Sequence, residues 1–318
     1  MVPRRLRKNQ LIRNLTAETS ISKNKLIMPY FVMEGTGLRQ PVHSMPGIDR
    51  VCLEQLCLDI EKDMKHGITQ GIFFGIPQSK NESGSESYNP EGIIQKAIQT
   101  IKKKFPEFLI ISDVCLCEYT SHGHCGILKN GLIDNESTLP VLAKIALSHA
   151  EAGADIIAPS DMMDGRINTI RNMLDSHSYD IPLLSYAAKY SSAFYGPFRD
   201  AAGSSPQLGD RKSYQMDFRN RSEAIKEVLL DISEGADMVM VKPALAYMDI
   251  LQKVKESITV PLCAYNVSGE YTMVKLMHEK GFGVEQNLVT EILTGLFRAG
   301  ADMIISYHTR DIFRNKWL

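Results

Sequence analysis

Three cysteines fall within eleven residues of the segment Asp113-Val-Cys115-Leu-Cys117-Glu-Tyr-Thr-Ser-His122-Gly-His124-Cys125-Gly126. The preceding apolar run, Phe108 to Ser112, reads as a buried strand. If the strand persists through the cluster, side-chain alternation puts Asp113, Cys115 and Cys117 on one face, and Cys125 returns from the following loop to close the group. Three thiolates without an evident fourth suggest zinc with an open position, the arrangement of a catalytic rather than a closed structural site. An open zinc is a Lewis acid. A lone cysteine is more often a small buried hydrophobe, which is the reading for Cys52, Cys57 and Cys263. His122 and His124 could serve the ligands as hydrogen-bond partners or act in acid–base chemistry. His124 as a fourth ligand would instead make the site structural.

Two lysines add a second chemistry. Lys242 ends the run Met238-Val-Met-Val-Lys242-Pro243, where alternation groups Met238, Met240 and Lys242 on one face. A lysine at the inward end of an apolar strand is desolvated, which lowers its pKa and frees an amine for Schiff-base formation. The competing reading is a lysine reaching out to water from a strand end. Lys189, in Leu183-Leu-Ser-Tyr-Ala-Ala-Lys189-Tyr, repeats the pattern one strand earlier. Neighbouring amines would depress each other's pKa, and a pair points to two carbonyl substrates. Arg199, Arg211 and Lys212 lie in a long Ser-, Gly- and Pro-rich segment, Ser191–Lys212. The arginine fork suits carboxylates, and loops of this length in compact domains are commonly lids. Ser268 and Tyr307 close the last two strand candidates, where barrel enzymes place polar contacts.

These residues need a scaffold that gathers strand ends. Eight apolar runs qualify: 25–33, 71–76, 108–115, 155–160, 182–187, 238–243, 262–267 and 303–308. Helical patterns over 53–65, 90–104, 139–152, 166–176, 221–234, 248–257 and 284–299 separate most of them. Eight strands with intervening helices within 318 residues predict a (β/α)8 TIM barrel, an α/β fold, over residues 25–318. Gly153-Ala-Asp155, Gly235-Ala-Asp237 and Gly300-Ala-Asp302 each follow a helix and precede a strand, one αβ connection reused. Residues 1–24, with Arg4, Arg5, Arg7, Lys8 and Arg13, precede the first strand and are expected to be an arm against a neighbouring subunit. The net charge of −1 gives no field to draw nucleic acid or an anionic membrane. No apolar run approaches the roughly 20 residues that span a bilayer. With no export signal, the cysteines read as reduced thiols and the chain as cytoplasmic.

Taken together, DVCLCEYTSHGHCG (113–126), APSDMMDGR (158–166), YGPFRDA (195–201), GDRKSYQMD (209–217), MVKPALAYMDI (240–250) and YNVSGEY (265–271) resemble the porphobilinogen synthase (5-aminolevulinate dehydratase) family, zinc-dependent type, over nearly the whole chain. The resemblance implies condensation of two 5-aminolevulinate molecules to porphobilinogen, in heme biosynthesis. It implies zinc on Cys115, Cys117 and Cys125, and Schiff-base lysines at Lys189 and Lys242. Arg199 and Arg211 would contact one substrate (the A side), and Ser268 and Tyr307 the other (the P side). It further implies an allosteric magnesium at Glu227 and a homo-octamer built through the arm. Asn266 departs from the Gln or His that relatives tend to carry there. Another Schiff-base barrel lyase of the class I aldolase type is the alternative, but it leaves the cysteines and one lysine without a role.

Overall fold

The computed structural model describes residues 2–318, so Met1 of the expected arm lies outside the described residues. Eight parallel strands run β1 Leu26–Met33, β2 Gln70–Ile76, β3 Leu109–Val114, β4 Ile156–Pro159, β5 Leu184–Lys189, β6 Met238–Lys242, β7 Leu262–Asn266 and β8 Met303–Ser306. β1 to β4 pair in chain order, as do β5 to β8, and β8 pairs with β1. The gap between β4 and β5 closes at a single bridge, Ile157 to Leu183. The result is the expected (β/α)8 barrel. Its strands are apolar on both faces because one packs into the barrel and the other under a helix. Every residue of β1, β5 and β7 is buried accordingly.

The repeated Gly-Ala-Asp has a physical basis. Gly153, Gly235 and Gly300 all take positive φ, at 100°, 108° and 112°, where a side chain would be strained. The aspartate that follows accepts an N–H at the start of the strand before: Asp155 from Ile110 at 2.7 Å, Asp237 from Leu183 at 2.8 Å and Asp302 from Leu262 at 2.8 Å. Each also holds a helix cation, Lys102, Arg171 and Lys255 respectively. One device thus sets strand register at three places around the N-terminal rim.

Several elements depart from expectation. β3 ends at Val114, whose carbonyl accepts the N–H of Ser160 just past β4 at 3.0 Å, and the chain then turns. Cys117 therefore sits in a turn in which Tyr119 and Thr120 donate to the Leu116 carbonyl, and not on the strand. β5 begins at Leu184 and continues to Lys189. Ser268 opens a helix, Ser268–Glu279, that was not anticipated. Arg199 lies on a short helix, Gly196–Ala202, within the long segment. The N-terminal segment forms a 3-10 turn, Pro3–Arg7, and a helix, Gln10–Leu15, neither burying a residue.

Candidate active site

β5 and β6 pair so that Lys189 lies opposite Lys242. Ser185 to Ala188 on β5 spans three steps against two for Val239 to Val241 on β6, so a bulge interrupts the pairing. The bulge matters because Tyr186 and Lys189, three residues apart, would face opposite sides of a regular strand. Instead both amines approach the Tyr186 ring, Lys242 Nζ at 5.0 Å and Lys189 Nζ at 5.6 Å from its centroid. The Lys242 amine is further boxed by Tyr265 at 4.3 Å, Phe198 at 4.9 Å and Tyr195 at 5.4 Å. The Lys189 amine donates to the Ser160 carbonyl.

The two amines differ electrostatically. Burial, then the charge of Lys189, lowers Lys242 to about 7. Burial also opposes charge on Lys189, but the sulfurs of Cys125, Cys115 and Cys117 outweigh it and hold that amine above the ordinary lysine value. Mutual depression is thus realised on one side only. Burial and Glu118 raise Asp113 to about 7. One Asp113 oxygen accepts from Ser160 Oγ at 3.1 Å and the other has no partner.

The three cysteines converge as expected, by a different route from the one expected. Their sulfurs lie within 4.8 Å of one another, Cys115 and Cys117 at 3.4 Å, and all three are buried. Tetrahedral zinc at roughly 2.3 Å from each sulfur needs them about 3.8 Å apart, which this set approaches. Neither histidine joins them among the described residues. His124 Nε2 faces the Leu208 carbonyl at 2.7 Å and Nδ1 the Tyr214 hydroxyl at 3.1 Å. His122 Nε2 faces the Glu82 carbonyl at 3.2 Å, while Nδ1 accepts from the His124 N–H at 3.2 Å. The candidate donor set among the described residues is therefore three sulfurs.

Ser191–Lys212 covers the C-terminal mouth and is fastened at many points. Tyr195 Oη donates to the Lys242 carbonyl at 2.9 Å, and the Phe198 N–H to Ser268 Oγ at 2.9 Å. Arg211 donates to the Gly123 and Ser204 carbonyls at 2.8 and 2.5 Å. Nε of Arg199 and Nε of Arg211 are both buried without an acceptor. Two glycines receive the segment: a Cβ at Gly269 would lie 2.6 Å from the Phe194 carbonyl, and one at Gly123 would lie 2.4 Å from that of Ser205. Ser268 is occupied by these contacts, and Tyr307 Oη lies 3.2 Å from Tyr265 Oη.

A single cavity is lined by Lys189, Lys242, Cys117, Asp113, Arg199 and Arg211, with Ser160, Glu118 and the aromatics completing its wall. Ser268 and Tyr307 are not in that wall; Ser268 is bonded to the Phe198 backbone and Tyr307 to the Tyr265 hydroxyl. The family model for delta-aminolevulinic acid dehydratase matches residues 1–315. The chain belongs to the delta-aminolevulinic acid dehydratase family. It is 52% identical over 316 residues to the Bacillus subtilis delta-aminolevulinic acid dehydratase, covering 99% of this chain and 97% of that protein. Identity to the Archaeoglobus fulgidus protein of the same name is 49% over 310 residues, covering 97% and 96%. The delta-aminolevulinic acid dehydratase (porphobilinogen synthase) of Toxoplasma gondii ME49, solved with its reaction product porphobilinogen, superposes with a TM-score of 0.97 at 42% identity, covering 99% of this chain and 91% of that one.

Within this dehydratase fold, Glu227 stands apart from the cavity. It is half-buried on the helix Ser222–Ser233 and lines an outer pocket with Asp164, Asp217 and Glu223. Burial and Asp231 raise its acid. The other close trio of potential ligands among the described residues, Glu285, His308 and Asp311, already holds a cation. Lys275 Nζ lies 2.5 Å from Glu285 and 2.7 Å from Asp311. The aromatic box, Ser160 and Asp113 were not singled out as site residues from sequence. Tyr195 and Phe198 lie in YGPFRDA, Ser160 in APSDMMDGR, Asp113 at the head of DVCLCEYTSHGHCG and Tyr265 at the head of YNVSGEY, while Tyr186 lies in none of these motifs.

Proposed function

We propose that this chain condenses two molecules of 5-aminolevulinate to porphobilinogen with loss of two waters. The observation that carries the reading is the one cavity lined by two buried amines, by Cys117 of the three-sulfur cluster and by two arginines with unanswered donors. Lys242, poised near neutrality, attacks the P-side ketone, and loss of water gives an iminium. Lys189 does the same for the A-side ketone once its proton leaves. The iminium acidifies the adjacent C–H, so carbon–carbon bond formation proceeds through an enamine. Asp113, near 7 in the same cavity, takes or returns a proton at working pH. The free Nε–H groups of Arg199 and Arg211 address the A-side carboxylate.

Ser268 and Tyr307 take the P-side carboxylate, which requires Ser268 to exchange its bonds to Phe194 and Phe198 for the substrate. The free space in the cavity is about 10 Å³, room for one water, so Ser191–Lys212 must lift to admit substrate. Its return excludes water from hydrolysable imines. Cys115, Cys117 and Cys125 would hold zinc, which supplies a Lewis acid to the A-side substrate when bound. Glu227 is the proposed magnesium carboxylate, supported by the neighbouring acids of its pocket. A homo-octamer formed through the arm is supported by the exposure of Leu6, Leu11 and Leu15. A cytoplasmic location is supported by six unpaired cysteines.

The test is incubation with 5-aminolevulinate, with and without zinc and magnesium. A pyrrole that colours with Ehrlich reagent is the expected result. Its absence from zinc-loaded enzyme, while 5-aminolevulinate is still trapped on a lysine by borohydride, would favour a single-lysine aldolase chemistry instead.

A further inference from the structure

Glu270 is 1% exposed, and its carboxylate has no cation among the groups that act on it. Burying such a group is costly unless hydrogen bonds satisfy it. Three N–H donors do so. Oε2 accepts from the Val267 backbone at 3.0 Å and from Asn266 Nδ2 at 3.0 Å, and Oε1 accepts from the Leu245 backbone at 2.9 Å. The Val267 bond is an ordinary helix cap, a glutamate at the third position reaching back to the residue before the helix. The Leu245 bond is different, because Leu245 belongs to the preceding βα loop. Burial raises the Glu270 acid to about 7 against the pull of these donors, and the ionised form is the one that all three address.

The positions of the partners give the bond its meaning. Leu245 stands three residues beyond Lys242, and Glu270 two beyond Ser268. The β6–β7 ladder runs only to Val241 opposite Ala264, so past it the two chains lack strand pairing. Asn266 carries the chain of bonds onward, its Oδ1 accepting from Ser306 Oγ at 2.9 Å, one residue before Tyr307. A continuous path, Leu245–Glu270–Asn266–Ser306, therefore ties together the three segments that bear Lys242, Ser268 and Tyr307.

We propose that Glu270 is a positioning residue that sets the span from the Lys242 amine to the Ser268 and Tyr307 carboxylate seat, and thereby selects a keto acid with two methylenes between ketone and carboxylate. The inference rests on the P-side roles given above. It separates into a clean substitution. In Glu270→Gln the amide oxygen keeps the two-donor side, and the NH2 group is left against the Leu245 N–H. The helix cap survives and the tie to the Lys242 arm is cut.

The experiment uses full-length, zinc-loaded enzyme and two simple ligands, 4-oxopentanoate and 5-oxohexanoate, which is one methylene longer. Half-saturation of borohydride trapping is measured for each, with the adduct located by peptide mass. The parent enzyme should label Lys242 and favour 4-oxopentanoate roughly tenfold or more, the usual range for one methylene in a fitted pocket. In Glu270→Gln that ratio should fall several-fold toward unity. Equal weakening of both ligands, with the ratio unchanged, would show a merely structural role and overturn the proposal. If Glu270→Gln does not fold, Ser306→Ala, which removes the hydroxyl that holds Asn266 and accepts the His308 N–H, should lower the ratio by a smaller factor. An unchanged ratio there overturns the proposal equally. Failure of the parent to label Lys242 would instead overturn the P-side assignment, and it is visible before any substitution is made.

Discussion

The charge of Lys189 should set the pH at which Lys242 becomes a nucleophile. With Lys242 at about 7, half of it is free amine at pH 7. An ordinary lysine near 10.4 offers roughly one molecule in 2,500, so burial and charge together raise the reactive population about a thousandfold. Both Nζ atoms lie within 5.0 and 5.6 Å of the Tyr186 ring centroid, which limits their separation to about 10.6 Å. At that limit and an effective dielectric of 20, two unit charges repel by roughly 1.6 kcal/mol, about one pH unit. The sign follows directly: removing a neighbouring cation favours the protonated amine and raises the Lys242 pKa. The assay is the rate of iminium formation with 4-oxopentanoate, trapped by borohydride between pH 5.5 and 9. The parent enzyme should gain about tenfold per unit up to pH 7 and then level. Lys189→Met should move that limb upward by about one unit or more. A limb unmoved or shifted down in the variant, or one near 10 in the parent, would refute the coupling.

Lys242→Met should stabilise the protein while abolishing turnover. The folded pKa lies below the unfolded one, so the folding penalty is fully present below pH 7 and is lost as pH rises to 10.5. The gain should be on the order of 4 kcal/mol at pH 7 and roughly half that at pH 9, read as a shift in denaturant midpoint. Chelation should abolish pyrrole formation and make Cys115, Cys117 and Cys125 reactive to a thiol reagent, with zinc reversing both; full activity in rigorously metal-free enzyme would refute the thiolate site. Gly269→Ala puts a Cβ 2.6 Å from the Phe194 carbonyl and should hold Ser191–Lys212 partly open. The expected signature is a kcat reduced roughly tenfold or more, faster proteolysis within the segment, and trapping at Lys242 retained.

What the sequence could and could not reveal follows from the range of each interaction. Strand identity and the barrel were legible because apolar runs and Gly-Ala-Asp connections are local signals, repeated. The lysines were legible because a charged residue at the end of an apolar run contradicts its surroundings. The cysteines were found for their spacing, but the alternation argument misplaced Cys117: the strand stops at Val114 and the chain turns, with Tyr119 and Thr120 donating to the Leu116 carbonyl. The inward turn of Lys189 beside Tyr186 depends on a bulge that exists only in the pairing with β6. Nothing in YNVSGEY alone distinguishes Glu270 from any helix-capping glutamate, since its telling bond goes to Leu245 in another loop. Likewise the aromatic box about Lys242 draws Tyr186, Tyr195, Phe198 and Tyr265 from three separate stretches. Residues that do chemistry declared themselves by type; residues that set where the chemistry happens emerged only once distant strands were brought side by side. The activated amine illustrates the difference. Lys242 can be picked from its own strand, but its value near 7 is a property of the box and of Lys189, so altering either should change the amine's reactivity without touching the residue itself.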